Sequence, residues 1–356
     1  MAEAVLSLAQ KERKEEEQAG LRVQSYWGAV WQRLRRDWIT LFALALLTFM
    51  VTISVGAPWI GAHVLGFDPT STDLLHRNQP PTWATEAWPQ FQAFTQSCQS
   101  GDYCDWALWR GISQSALAGM GTCATAGVGG CHWMGTDDAG RDVLTRGVYG
   151  GRISLRIGIW VAGVSMTLGV LMGLISGYYA TTVIDDIVNA IIMTLGSIPL
   201  LFLLIILSRI FQPGPEGLAI LIGVFGWMGL SRLIRGQIFS VREREYVIAS
   251  RAIGTSVWGI MFKHILPNVS SIIIVSAVFN IAGAIIAEAG LSYLGVGIGP
   301  PWPSWGNMMQ GSLGNFTDAP WLVITPGLFI FLTTLSIYLL GDGLRDALDP
   351  TLQRTN

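Results

Sequence analysis

The 356 residues predict an all-α membrane protein with six transmembrane helices and a large insert between the first and second. Three observations carry that reading. The chain is 51% hydrophobic and only 13% charged, where soluble domains run to roughly 25% charged. Six apolar runs, near 38–60, 155–179, 187–210, 217–239, 269–290 and 321–341, meet the requirement of about 20 residues for roughly 30 Å of hydrocarbon. The charges collect between the runs. With 22 basic and 24 acidic residues nearly in balance, the composition argues against a nucleic-acid partner and names the lipid bilayer instead.

Residues 1–37 form a charged tail, with Lys11 to Glu17 as its densest run, and then a helix suited to the membrane interface. In that helix Trp27, Trp31 and Leu34 recur at helical spacing against Arg33, Arg35 and Arg36. The span 38–60 follows too long a charged segment, and is itself too long, for a cleaved signal peptide. Orientation comes from the loops. Arg232, Arg235, Arg242, Arg244, Arg251 and Lys263 are counted with the loop from the end of span four to span five, whereas Leu291 to Trp321 holds no basic residue. The basic loop is therefore expected in the cytoplasm with both termini, and residues 61–153 outside. The 180–186 turn, with Asp185 and Asp186 and no basic residue, does not bear on the choice.

The outer insert holds all four cysteines, Cys98, Cys104, Cys123 and Cys131, as expected of disulfides in an oxidising compartment. Three pairings are open; 98–104 with 123–131 is favoured because each encloses a short polar or glycine-containing turn. Metal binding would want a C-x-x-C pair, which is missing, and only His132 is near. Trp83, Trp88, Trp106 and Trp109 offer a small core or a partner surface. Asp137, Asp138, Arg141 and Asp142 could in principle bind a cation, but their spacing is not that of an EF-hand and reads as a salt-bridged turn. No metal or cofactor is expected.

The membrane core, residues 154–341 with a polar loop at 242–268, ends in a tail at 342–356. Within the loop, Tyr246 to Ile253 reads as a short helix ended by Gly254, where a left-handed residue without a side chain is wanted. Thr255 or Ser256 caps a second helix, Val257 to Ile265, which should stop before Pro267 because proline has no amide hydrogen to donate. The resulting knob joins Arg242, Arg244, Arg251 and Lys263 to Tyr246, Ile253, Trp258 and Phe262, a mixture of charge and apolar anchors suited to another protein's grip. Inside the spans, the polar residues singled out are Arg156, Asn189, Asn280 and Glu288. Intramembrane polar groups usually face a bundle interior or a watery path, so Glu288, Asn280 and Asn189 are candidates for a pathway or gate. Both asparagines fit plain interhelical hydrogen bonding equally well. No G-x-x-x-x-G-K-[ST] loop and no H-E-x-x-H occurs, and the histidines 63, 76, 132 and 264 are scattered, so neither ATP binding nor catalysis is expected of this chain.

Ala249, Gly254 five residues on, and Leu266-Pro267 after eleven intervening residues resemble the cytoplasmic "EAA" loop of ABC-importer permease subunits. Around them REYVIASRAIG and FKHILPN, the earlier GTDDAGRD, the run AGLSYLGVGIGPPWPSWGNMM and GDGLRDALDP are similar to the C-type subunit of dipeptide and oligopeptide permeases. The sequence departs from the general motif at Ile248, Ser250 and His264, where an acidic residue, an alanine and an isoleucine are usual. The resemblance covers residues 130–350; the insert at 61–130 has no recognised counterpart, and the first 60 residues agree only in layout. It implies a type I ABC-importer permease fold in a bacterial inner membrane, passing di- or oligopeptides inward from an external substrate-binding protein. Implied partners are a second, B-type permease subunit and two ATP-binding subunits, the latter docking on Tyr246, Ala249, Arg251, Gly254, Trp258, Leu266 and Pro267. Related permeases carry nickel, oligosaccharides or other small metabolites on similar motifs, so the cargo stays open at this point. A membrane-anchored enzyme or sensor would need a catalytic constellation within 61–153, and none is found.

Overall fold

The computed structural model describes residues 26–99, 106–127 and 129–348. The expected tail 1–25 and the Cys98–Cys104 bridge lie outside the described residues. Among the described residues there is no strand, and five helices are long and apolar enough to cross a membrane, or six spans when one bent pair is counted.

Helix α1 (Tyr26–Leu34) sets Val30 against Val275, Ala347 and Leu348, fastening the start of the described chain to its end. Helix α2 (Trp38–Val55) begins where the Asp37 carboxylate accepts hydrogen bonds from the Ile39 and Thr40 amides, a side-chain N-cap. It ends at Gly56, short of the expected residue 60. A short helix, Ala57–Ile60, and a π-turn, Gly61–Leu65, carry the chain onward.

The insert is helical too. Helices α3 (Ala87–Gln99) and α4 (Trp106–Thr125) pack on each other, and the expected Cys123–Cys131 disulfide closes the turn after α4. Trp88 meets Trp321 edge-on with ring centroids 5.2 Å apart, and Trp321 Nε1 donates to the Thr136 carbonyl at 3.1 Å. The insert is thereby seated on the bundle.

Helix α5 (Val143–Tyr178) is 36 residues long and starts twelve residues before the apolar run expected from 155. Arg146, Arg152 and three glycines keep that first stretch below span-like hydropathy. Tertiary packing supplies what hydropathy lacks: Asp142 caps the Thr145 amide at 2.7 Å, and Trp305 packs beside Gly150 and Gly151. The expected third span, 187–210, is two helices, α6 (Val183–Gly196) and α7 (Leu200–Phe211), bent by 77°. Pro199 explains the break, since it lacks an amide hydrogen and disfavours helical backbone at Ile198.

Helix α8 (Pro215–Val241) lies along α5. Gly169, Gly173 and Gly177 recur every four residues on α5 and face Leu230, Ile234 and Ile238, which recur every four on α8. A methyl carbon added at each glycine would stand 2.9, 2.9 and 2.7 Å from those side chains. Small residues at this spacing let two helix backbones approach closely where no hydrophobic effect drives them together.

Helix α9 (Glu245–Ala252) follows, and α10 (Val257–Tyr293) then runs unbroken for 37 residues. The expected stop before Pro267 does not occur. A π-turn, Ile260–Ile265, precedes the proline and leaves it in the first turn of the following α-helical run, where no amide donor is needed. After α10 the chain folds back through a short helix, Trp305–Met308, before α11 (Trp321–Leu348). Ser304 and Asn307 close a capping box on that short helix, and Trp305 is wholly buried, donating from Nε1 to the Gly147 carbonyl at 2.8 Å.

The glycine ladder yields a paired prediction. Gly173→Ala forces Ile234 to shift and should destabilise the protein by about 1–3 kcal/mol, the usual penalty for overfilling a packed contact. Gly283→Ala, where an added methyl meets nothing within 4 Å, should leave the detergent-solubilised melting temperature within error of the parent. Equal melting of both variants with the parent would remove the ladder as a packing determinant.

Candidate functional site: a glycine elbow and a polar seam

At the elbow, Gly254 has φ +82°, the left-handed conformation the sequence calls for. Its amide bonds to the Arg251 carbonyl and that of Thr255 to the Ser250 carbonyl, the two bonds of a Schellman closure. Ser256, rather than Thr255, is the N-cap of α10, with its Oγ accepting from the Gly259 amide at 3.2 Å. The loop's underside is fixed: Val247, Ile260 and Ile265 are fully buried in a cluster with Leu174, Ile234, Ile238 and Val269. Its upper face is bare. Tyr246, Ile253, Trp258 and Phe262 are all exposed, Ile253 by 83%, and Trp258 stacks on Phe262 at 5.9 Å.

The expected loop residues divide accordingly. Ala249 and Gly254 are exposed with Tyr246 and Trp258, and the Arg251 guanidinium lies over the Tyr178 ring at 5.5 Å. Leu266 instead packs into the cluster below, and Pro267 begins the long run of α10. Arg232 and Arg235, read from sequence as loop residues, belong to the last turns of α8.

The intraspan polar residues do not meet at one place. Ser154, Ser165 and Ser176 are buried on α5 at intervals of eleven residues, about three helical turns, and therefore share one stripe. Each serine has a different partner from another helix. Ser154 Oγ donates to Glu288 at 2.9 Å, Ser165 Oγ to Asn280 at 3.1 Å, and Ser176 Oγ to Asp185 at 2.5 Å. Glu288 is wholly buried and also accepts from Ser292 Oγ at 2.7 Å. Asn189 donates to Asp185 at 2.7 Å and so belongs to the third station of the seam, away from Glu288 and Asn280. Arg156 pairs at 2.9 Å with Glu216 on the exposed surface.

Sequence reasoning passed over the strongest of these stations. Asp185, nearly inaccessible, accepts both arms of the Arg235 guanidinium, Nε at 2.7 Å and Nη2 at 2.6 Å. It also accepts from the Thr181 amide at 3.1 Å, and Thr181 stands at φ +69°, an unusual place for a β-branched residue. The pair ties α6 to α8 immediately beneath the elbow. A polar residue opening one apolar run and an arginine near the end of the next were its only sequence signal. Asp185→Ala should cost about 2–3 kcal/mol, because it removes the buried carboxylate that holds Arg235, Ser176 and the Thr181 amide, with Arg235 itself still one-third exposed to solvent. Arg156→Ala, which breaks an exposed pair, should cost under about 1 kcal/mol. Thermal unfolding of the two purified variants distinguishes these values, and equal losses would refute the ranking.

Comparison with known proteins identifies the family. The family described as binding-protein-dependent transport system inner membrane component matches residues 169–354, and the N-terminal transmembrane domain of oligopeptide transport permease C matches residues 25–81. The chain is 33% identical to the dipeptide transport system permease protein DppC of Bacillus subtilis over 331 residues, 93% of this chain and 87% of that one. It is 40% identical to the oligopeptide transport system permease protein OppC of Haemophilus influenzae over 62% of this chain and 71% of that one. Against the glutathione transport system permease protein GsiD of Pectobacterium atrosepticum the identity is 39%, over 64% and 75%. The likeness thus reaches further toward the N-terminus than residues 130–350, which the motifs alone had covered. The apolar helices, the glycine elbow and these matches together place the chain in the family of inner membrane components of binding-protein-dependent transport systems, among its C-type oligopeptide permeases.

Proposed function

We propose that this chain is the permease subunit of an ABC importer that passes di- or oligopeptides inward from an extracytoplasmic binding protein. The observation that carries the reading is the elbow, held rigid from below by Val247, Ile260 and Ile265 and bare above at Tyr246, Ile253, Trp258 and Phe262. A surface of that kind transmits force: its anchors give a partner purchase, and its packed base passes displacement into α8 and α10. Two ATP-binding subunits, which would do the hydrolysis that this chain has no phosphate loop to perform, dock there.

The remaining partners follow from the same frame. The bent pair α6–α7 exposes Ile187, Met193, Phe202, Ile206 and Ile210, apolar surface left for lipid and for a second, B-type permease subunit that completes the channel. Four of the basic residues expected in the loop lie at or beyond the end of α8, so the elbow faces the cytoplasm of a bacterial inner membrane, with both termini on that side and the insert outside. The cargoes named for the relatives above, dipeptides, oligopeptides and glutathione, are all peptides, which favours peptides over nickel or oligosaccharides. Glu288 and Asn280 join α10 to α5, and these polar contacts are the ones that change between the inward- and outward-open states of the gate.

Substitution at the elbow tests the docking role. Gly254 has open space around it, so a larger residue is resisted by backbone conformation alone, at about 1–2 kcal/mol for a side chain in the left-handed region. Gly254→Leu should reach the membrane at normal levels yet lose peptide uptake, whereas Gly254→Asn, which tolerates that conformation, should retain part of it. Normal uptake by the leucine variant at normal expression would sink the assignment.

A further inference from the structure

A cavity of about 550 Å³ opens between the turn at 137–141, the start of α5 and the folded-back segment 300–315. Its size lies within the range of about 300–1,000 Å³ typical of small-ligand sites. One wall is charged in an uneven way. Asp137 is saturated, accepting from Arg141 Nε at 2.8 Å, from Arg146 Nη1 at 2.6 Å and from the amides of Ala139 and Arg141 at 2.9 Å each. Asp137 thus meets both guanidiniums, whereas the second carboxylate, Asp138, reaches Arg141 alone, so Arg146 has only a shared counter-charge.

Arg146 is only 6% exposed, and its Nε has no hydrogen-bond partner. Its bond to Asp137 uses one of five donors, and a buried guanidinium with donors to spare stands ready for an anion. The opposite sign is present at the rim. Asp138 lies 3.5 Å from Arg141 with its side chain 70% exposed, and Trp302 and Met308 add apolar surface to the same lining. A lone inorganic anion would meet Asp138 unfavourably. A zwitterion satisfies both.

We propose that this cavity is a vestibule for a short peptide with free termini, its carboxylate on the unused donors of Arg146 and its ammonium on Asp138. The inference rests on the peptide reading of the function and locates a contact for that cargo outside the membrane-embedded core. It makes Arg146 and Asp138 specificity residues for free termini.

The test uses the whole transporter in lipid nanodiscs without its binding protein. It is irradiated with p-benzoylphenylalanyl-alanyl-alanine, and the adduct is mapped by mass spectrometry. Met308, a side chain that benzophenones attack readily, should carry the label. Excess trialanine should suppress it, N-acetyl-trialanine amide should not, and Asp138→Asn and Arg146→Gln should each weaken labelling about tenfold, as loss of a charge-assisted hydrogen bond implies. Asp138 is at the rim, so its variant stays informative even if Arg146→Gln fails to fold. Labelling elsewhere, or equal competition by the free and blocked peptides, overturns the proposal. So does displacement of the label by ligand-free binding protein together with indifference to blocked termini, which would make the cavity a protein-docking pocket. Trialanine uptake by the same complex reconstituted into sealed liposomes, with binding protein and ATP added, separates the two claims: selective labelling without uptake would keep the vestibule and refute only the transport reading.

Discussion

Where Gly169, Gly173 and Gly177 receive Leu230, Ile234 and Ile238, the backbones of α5 and α8 come as close as side chains permit, and much of the bundle is placed by that approach. It brings Arg235 within reach of Asp185 and sets Ile234 and Ile238 beneath the elbow as its floor. Lipid gives no hydrophobic gain to helix association, so contact area between well-fitted surfaces and a few interhelical hydrogen bonds must hold these helices.

The three serines of α5 supply such bonds at three depths. A serine hydroxyl is small enough for the ladder helix and neutral enough for a buried stripe, yet it donates to a carboxylate, an amide oxygen and a second carboxylate in turn. The stations differ in strength. Asn280 and Glu288 meet only uncharged donors among their side-chain hydrogen bonds, whereas Asp185 is held bidentately by an arginine with further bonds from Ser176, Thr181 and Asn189. The stiffest joint of the seam is thus the one nearest the elbow, and the softer ones lie further along α10. A displacement imposed at the elbow would be carried by the stiff end and absorbed at the soft one.

The elbow and the insert use different means to become rigid. The elbow relies on one left-handed glycine and a buried underside, with no covalent tie. The insert has the Cys123–Cys131 bridge, and it borrows the bundle's surface through Trp88 on Trp321. A short segment has little core of its own, so it either docks or is stapled, and here it does both.

By itself the sequence determined the class, the number of apolar runs, the family and the position of the elbow. Hydropathy, glycine at a helix end and the spacing of Ala249, Gly254 and Pro267 are local properties that depend on no distant residue. It also determined the salt-bridged turn at Asp137 and Arg141, four residues apart. Only the tertiary structure decided that α5 begins at Val143, that the third span is bent at Pro199, and that α10 passes through Pro267 by a π-turn. It alone joined Asp185 to Arg235, Ser154 to Glu288 and Arg146 to Asp137 across the cavity wall. The first two of these pairings span 50 and 134 residues, and the last involves Arg146, which sequence reasoning left unassigned within the outer insert. Each needs a neighbour's burial to make the polar contact worth forming, and burial is a property of the packed bundle that no local window of residues contains.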